Sequence, residues 1–370
     1  MDIRRPVWAE IDLSALQRNY DRIATLTSSE MMPIVKADAY GHGALQVVQA
    51  LYEKGARRFG VALLEEAIEL RKAFQDIKLV LIGTLPMDSI EMIVKEGIIC
   101  GVYRLEQAVL LSKEAKKQGK QAVIHLKVDT GMGRIGFREE NWEELFDCLK
   151  LPNLFVEGIF THFATADHAD LGFAQEQLKK FLELTDKIKT KGAHIPIRHA
   201  ANSGALLQLP EAHLDLVRPG IILYGLAPSQ YIGKDIGLEP VLSWRARISH
   251  IKTVPQGETI SYGRTFRTAY PTRVATIPLG YADGLRRSLS NRGEVLVKGR
   301  RATIIGRVCM DQTLLDVSKI PDVQMEDEVT LLGTDGYDRI DVDEMASWLN
   351  TINYEIVCGI AKRVPRVYRK

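Results

Sequence analysis

The chain has 370 residues, 46% of them hydrophobic, which suffices for a large core and suits two domains better than one. Its 49 basic and 47 acidic side chains leave a formal charge of +2, mixed along the chain rather than blocked, which argues against nucleic acid or an acidic membrane surface as partner. No apolar run is long enough to span a bilayer, MDIRRPVWAEID lacks the apolar core of a signal peptide, and Cys100, Cys148, Cys309 and Cys358 show no C-x-x-C spacing, so reduced thiols in the cytoplasm are expected rather than a zinc site or a disulfide framework.

In chain order, residues 13–26 read as an amphipathic helix that Asp12 or Ser14 can cap. Eight short apolar bursts follow: MMPIVKA, RFGVALL, LVLIGT, IICGVY, AVIHLKVDT, FVEGIFTHFA, IPIRHAANSG and LDLVRPGIILYG. Helical patterns such as LLEEAIELRKAFQ, RLEQAVLLSKEAKKQG and FAQEQLKKFLELTDKIKTKG lie between most of them. Strand–helix alternation with apolar strands means a parallel sheet covered by helices, and eight such units fit a (β/α)8 TIM-type barrel over residues 1–237. From about Leu238 the pattern turns strand-like, with Gly- and Pro-containing turns. A smaller, mainly β domain is expected over 238–370, closed by a helix near 342–350 and a last strand near VPRVY. The first residues of the chain are free to pack with that domain.

The informative polar residues sit at the C-terminal ends of the bursts, where barrel enzymes build their sites. Lys36 ends the first, Lys127 and Arg134 follow the fifth, His162 ends the sixth, Asn202 and Ser203 follow the seventh, and Arg218 lies in the eighth. An ammonium at the end of an apolar strand is costly unless it is paired or gives up its proton. One solution is a covalent bond between the desolvated amine and the aldehyde of pyridoxal phosphate; the plain alternative is a lysine reaching solvent from a loop. GMGRIG (Gly131 to Gly136) matches G-x-G-x-x-G, but FREENWEEL follows where a dinucleotide site needs an apolar helix. His162, Asp167, His168 and Asp170 carry metal-ligand chemistry yet lie on one segment, whereas a barrel metal site draws ligands from several strands, so no metal is expected.

These residues fall within motifs that stand together elsewhere. MMPIVKADAYGHG, RPGIILYG, ISYGRT, PLGYADG, GRVCMDQ and INYEIVCG…RVPRVY occur here in the same order as in the bacterial alanine racemases, which the chain resembles along essentially its whole length. The resemblance implies pyridoxal 5'-phosphate as cofactor, alanine as substrate, and D-alanine supplied for peptidoglycan. It implies that Lys36 anchors the cofactor and serves as base on one face of the substrate, with Tyr262 as base on the other. A tyrosine titrates near pH 10 in water, so such a base needs a neighbour like the His162–Arg218 pair to lower it. Arg134 would bind the substrate carboxylate and the cofactor's phenolic oxygen. Tyr40, Ser203, Tyr354 and the backbone N–H groups of Gly204, Gly220 and Ile221 would hold the phosphate.

Arg218 would face the pyridine nitrogen, connected to His162. An arginine keeps its own proton, so the ring stays neutral and stabilises the carbanion less, which suits reprotonation at Cα over transamination. Lys127 would be carbamylated (N6-carboxylysine), turning a cation beside Arg134 into an anion. Tyr281, Met310 and Asp311 would approach the substrate from the partner chain of a homodimer with shared sites, and Asp167, Arg287 and Arg307 would line the access corridor. Other readings are a racemase of another amino acid or a decarboxylase of the same barrel class, and a pyridoxal-phosphate-binding regulatory protein. The β domain counts against the last, which is a lone barrel.

Overall fold

The computed structural model describes residues 5–232 and 236–370; of the N-terminal residues expected to join the β domain, 1–4 lie outside this range. Strand β1 (Val7–Asp12) runs into a helix, Leu13–Ala24. Asp12 is its cap, since its Oδ1 accepts from the Ala15 N–H at 2.7 Å. Each apolar burst then contains a strand: β2 (Glu30–Met31), β3 (Arg58–Val61), β4 (Lys78–Leu81), β5 (Ile99–Val102), β6 (Ala122–Lys127), β7 (Leu154–Phe160), β8 (Ile197–His199) and β9 (Leu216–Val217). Strands β3 to β8 pair in parallel in sequence order, and β2 pairs in parallel with β9.

Two seams close the circle. Ile34 bridges Gly60, with Val35 N–H donating to Gly60 O and Gly60 N–H to Pro33 O, both at 2.9 Å. On the other side Asp215 N–H donates to Arg198 O at 3.1 Å and Arg218 N–H to Ala201 O at 3.0 Å. The result is an eight-stranded parallel barrel of the TIM type, with helices such as Leu105–Lys117 and Gly172–Thr190 between strands. The Ile34 side chain lies across Gly60 at the first seam, where a Cβ would stand 2.5 Å from its Cδ1.

Two local features depart from the sequence reading. The burst LDLVRPGIILYG is strand over Leu216–Val217 alone; Pro219 has no N–H to give a ladder, and Ile221–Tyr224 form a 3₁₀ turn. The residues after Lys36 form a left-handed helical turn: Ala37, Asp38, Ala39 and Tyr40 have φ between 52° and 54°. Such backbone costs roughly 1–2 kcal/mol per residue. Nearby acceptors offset part of it, as Glu66 Oε1 takes the Ala37 N–H at 2.6 Å and Asp38 Oδ1 takes the Ala44 N–H at 2.7 Å.

The chain forms two compact units: Leu16–Ala39 with Ala44–Glu239, which holds the barrel, and the N-terminal strand with Tyr40–Gly43 and Pro240–Lys370. The second is mainly β. Its strands are β1, β10 (Leu242–Arg247), β11 (His250–Val254), β12 (Thr259–Ile260), β13 (Phe266–Arg267), β14 (Thr272–Ile277), β15 (Glu294–Val297), β16 (Arg300–Ile304), β17 (Thr313–Asp316), β18 (Glu328–Asp335), β19 (Asp338–Ile340) and β20 (Arg366–Arg369). The main sheet runs β11-β14-β17-β16-β15-β18-β10-β1-β20, while β12 and β13 make a separate hairpin. A helix at Val342–Leu349 is capped by Asp341, and a second at Asn353–Gly359, unanticipated because INYEIVCG is too short to show a period, carries Tyr354. Among the described residues no helix is long and apolar enough to cross a membrane.

Candidate active site

In the barrel unit the polar rim residues are held from below by backbone and by one another. Arg218 is buried. Its Nη2 donates to Thr161 O and Ala200 O, both at 2.9 Å, and to His162 Nδ1 at 3.2 Å, while Nη1 donates to His199 Nδ1 at 3.0 Å. Its Nε–H makes none of these bonds. Burial brings the guanidinium down to about 9, still protonated at neutral pH.

Lys127 ends β6 with only 3% of its surface exposed, and its Nζ has no hydrogen-bond partner among the described residues. Burial, then the charges of Arg218 and Arg134, hold its pKa well below the lysine range; Asp129 alone opposes them. His162 is held neutral for the same reasons: burial first, then Arg218, Lys127, Arg134 and Lys36. Four basic side chains thus act on one imidazole, and no acidic group is among those influences. Lys36 itself is half-buried as the first residue of the left-handed turn, two residues after the Ile34 bridge.

Arg134 is exposed on the GMGRIG loop. Asp129 Oδ1 accepts from the N–H groups of Gly131 and Gly133, both at 3.0 Å. The donors that a dinucleotide phosphate would need are therefore taken by the loop's own carboxylate. A Cβ on Gly136 would come within 2.4 Å of the Asp129 nitrogen, so that glycine closes the turn.

Two short helical starts meet at Ser203 and Gly220. Ser203 begins the helix Ser203–Gln208, Gly220 precedes the 3₁₀ turn, and the Gly220 N–H donates to Ser203 Oγ at 2.9 Å. First-turn N–H groups have no partner within their own helix, so those of Gly204 and Ile221 are left without an intrahelical acceptor. Gly204 is tightly placed: a Cβ there would stand 2.6 Å from the Ala166 carbonyl oxygen. Asp167, next along that loop, accepts Ser229 Oγ at its carbonyl at 2.6 Å.

The second unit gathers a different group. Tyr262 lies in the β12–β13 hairpin with 72% of its surface exposed. Ser261 Oγ donates to Arg307 O at 2.7 Å, and Tyr281 N–H donates to Cys309 O at 2.9 Å. These bonds lace the loops carrying Tyr262, Tyr281 and Met310 together, and all three side chains are exposed. Arg363 joins buried Asp283 to Asp311. Tyr281 and Arg287 line one surface cavity with Arg286 and Gly359. Tyr40, at the end of the left-handed turn, is buried 6.1 Å from the ring of Tyr354, and burial raises its pKa.

Three residues that no motif marked also reach the barrel interior: His125, Glu157 and His199, all buried. Each stands inside an otherwise apolar burst, and a buried polar residue in such a run was the signal available.

Residues 11–228 match the family model for the alanine racemase N-terminal domain, and 241–368 match that for the alanine racemase C-terminal domain. An alanine racemase of Carboxydothermus hydrogenoformans is 46% identical over 366 residues, 98% of this chain and 100% of the relative. One of Methanococcus maripaludis is 44% identical over 371 residues, covering 99% of each. Among solved structures, alanine racemase of Clostridium difficile 630 superposes with a TM-score of 0.95 at 38% identity, covering 100% of this chain and 97% of that one. That of Bacillus anthracis with bound L-Ala-P has a TM-score of 0.94 at 36% identity, covering 100% and 96%. Matched over nearly its whole length by both domain models and by these relatives, the chain belongs to the alanine racemase family.

Proposed function

We propose that the chain interconverts L- and D-alanine by a two-base mechanism with pyridoxal 5'-phosphate held at the barrel rim, supplying D-alanine for peptidoglycan in the cytoplasm. The observation that carries the cofactor assignment is the charge of the rim. Arg218, Arg134, Lys36 and Lys127 give the rim a basic character around His162, and Lys127 is a buried amine with no hydrogen-bond partner among the described residues, so the rim suits a ligand bearing phosphate and carboxylate groups. When bound, pyridoxal phosphate supplies an aldehyde for a lysine and a ring that delocalises the electron pair left at Cα.

The chain's own residues take the remaining roles. Ser203 and the N–H groups of Gly204 and Ile221 hold the phosphate, joined by the Gly220 N–H as it turns from Ser203 Oγ to the ligand, and family likeness adds Tyr40 and Tyr354. Arg218 offers its Nε–H to the ring nitrogen and has no proton to give up there. Arg134 holds the substrate carboxylate with its planar fork, and a carboxylated Lys127 steadies that arginine. Lys36 moves a proton at one face of Cα. Tyr262 does so at the opposite face, contributed by the partner chain of a homodimer together with Tyr281, Met310 and Asp311. Asp167, Arg287 and Arg307 line the approach.

Borohydride treatment of the purified protein tests the anchor. The expected result is a visible absorption band that disappears on reduction, with one pyridoxyl group found on Lys36 by peptide mass spectrometry. A label elsewhere, or none, overturns the assignment.

A further inference from the structure

Below Arg218 the barrel interior holds a chain of polar side chains that ends on a clamped carboxylate. His199 Nε2 lies 2.8 Å from His125 Nδ1, and His125 Nε2 lies 3.0 Å from Glu157 Oε2. Arg58 Nη1 donates to that same oxygen at 2.6 Å, and Lys78 Nζ donates to Oε1 at 2.8 Å. Burial pushes the Glu157 carboxyl up, but hydrogen bonds from His125, Arg58 and Lys78 outweigh it and hold the group ionised well below the usual range.

The direction of every bond follows from what each group can do. A guanidinium only donates, so His199 Nδ1 must accept from Arg218. Burial and the Arg218 charge keep His199 neutral, so its proton sits on Nε2 and is donated to His125 Nδ1. Burial likewise keeps His125 neutral, leaving its Nε2–H to donate to the Glu157 carboxylate. Both imidazoles are in the Nε2–H form, and no bond in the series can be reversed while both ends keep their charge.

The fold is shaped to this arrangement. Ile124 pairs with Val156 but His125 with Gly158, so Glu157 is the extra residue of a bulge that re-aims its side chain. A Cβ on Gly158 would stand 2.7 Å from His125 Nδ1, so only glycine leaves room for that ring. Phe160 stacks on His199 with ring centres 4.7 Å apart and planes 9° from parallel.

We propose that Glu157, His125 and His199 are positioning residues that form a one-way hydrogen-bond relay, presenting only a lone pair to Arg218 and so fixing the guanidinium, fully charged, against the cofactor ring. The proposal rests on the role given to Arg218 above. Its purpose is reaction specificity: a guanidinium held in this way stays in place and passes no proton to the ring nitrogen, which disfavours the side reaction in which the amino group remains on the cofactor and pyruvate leaves.

Two measurements on the holoenzyme test it. Nitrogen-15 NMR of histidine-labelled protein, assigned with single histidine variants, is expected to show His125 and His199 neutral and protonated at Nε2; a proton on Nδ1 of His199 overturns the relay. Pyruvate formed per alanine racemised is a ratio that loss of folded protein does not move. His125→Leu breaks the relay and is expected to raise that ratio roughly ten-fold, the factor for one lost hydrogen bond to a charged group. His125→Gln, which can accept from His199 and donate to Glu157, should stay near wild type. The Leu effect should vanish in an Arg218→Glu background. Should His125→Leu fail to fold, Gly158→Ala, which crowds the same ring, is expected to raise the ratio less. A raised ratio in Arg218→Glu with none in His125→Leu or Gly158→Ala overturns the relay alone. An unchanged ratio in Arg218→Glu overturns the role of Arg218, and the relay's purpose with it.

Discussion

The barrel rim and the loops around Tyr262 belong to one family's active-site motifs, yet they are built on opposite principles. At the rim, Arg218 and Lys127 are buried and His162 is half-buried, and Arg218 is held by two carbonyls and two imidazoles. Tyr262, Tyr281 and Met310 stand exposed, tied together through the Ser261 hydroxyl and backbone bonds beneath them rather than through their own side chains. The rim is preorganised by its own fold and charge. Exposed apolar and phenolic groups on laced loops have the character of a surface completed by another chain, which agrees with the shared-site proposal. The difference teaches that, on the proposed roles, the rim's residues would serve both stability and chemistry, whereas the loop residues would serve chemistry alone.

The sharpest way to break this contrast is to remove one base from each region. Lys36→Ala is expected to lower racemisation by roughly ten-thousand-fold, the upper range for loss of a positioned proton-transfer group, and to abolish the borohydride-reducible band. The fold should survive by circular dichroism, because the residue is half-buried at a strand end. Ordinary activity in this variant would end the pyridoxal reading.

Tyr262→Phe should be nearly inactive while changing stability by no more than about 0.5 kcal/mol, as befits an exposed side chain. Mixing it with Lys36→Ala under subunit exchange sharpens the comparison. Random pairing makes about half the dimers mixed, each with one intact site, so roughly a quarter of wild-type activity should return. No recovery, with exchange verified independently, removes the partner chain from the mechanism.

Much of this architecture is legible in the chain. The eight barrel strands announce themselves because a parallel sheet covered on both faces needs apolar runs, and RFGV and ICGV are buried throughout. Lys36 stands out as a cation closing such a run. The left-handed turn after it does not: Ala37, Asp38, Ala39 and Tyr40 contain no glycine to signal a positive φ, and only distant acceptors such as Glu66 make that backbone tenable. Glu157, His125 and His199 are visible one by one as polar residues in apolar strands. Their partnership depends on a bulge and on the stagger of neighbouring strands, neither of which is written in any one segment.

Two smaller effects probe the rim's dual role. Gly60→Ala would press a Cβ against Ile34 and is expected to destabilise the protein by about 1–3 kcal/mol, the usual range for overpacking. Thermal unfolding measures it, and adding Ile34→Val should recover part of the loss. A Gly60→Ala protein as stable as wild type would show that the seam is slack.

Lys127 gives the subtlest test. Its folded pKa is depressed by burial and by Arg218 and Arg134, so below the unfolded pKa of about 10.4 the unfolded chain binds a proton that the folded one refuses. Stability of the unmodified protein therefore falls as pH drops from that value toward the folded pKa, at up to about 1.4 kcal/mol per pH unit. In bicarbonate-free buffer Lys127→Met should flatten that decline. Bicarbonate should raise the melting temperature of wild type but not of the variant, with a carbon-13 carbamate signal appearing alongside. An indifferent wild type would leave Lys127 unmodified.

The seam between β2 and β9 has a consequence for how the molecule assembles. It joins the first and last staves of the barrel through the pairs Glu30–Leu216 and Met31–Val217, the most distant strand partners in that unit. Such a pairing bears a high loop-closure entropy and belongs late in folding. Lys36 follows one of these staves, and Gly220 and Ile221 follow the other. A ligand bonded to Lys36 and cradled by Gly220 and Ile221, as proposed above, would therefore be a clasp across this late joint, binding the closed barrel and not the open one, and mass action would make closure more complete as its concentration rises.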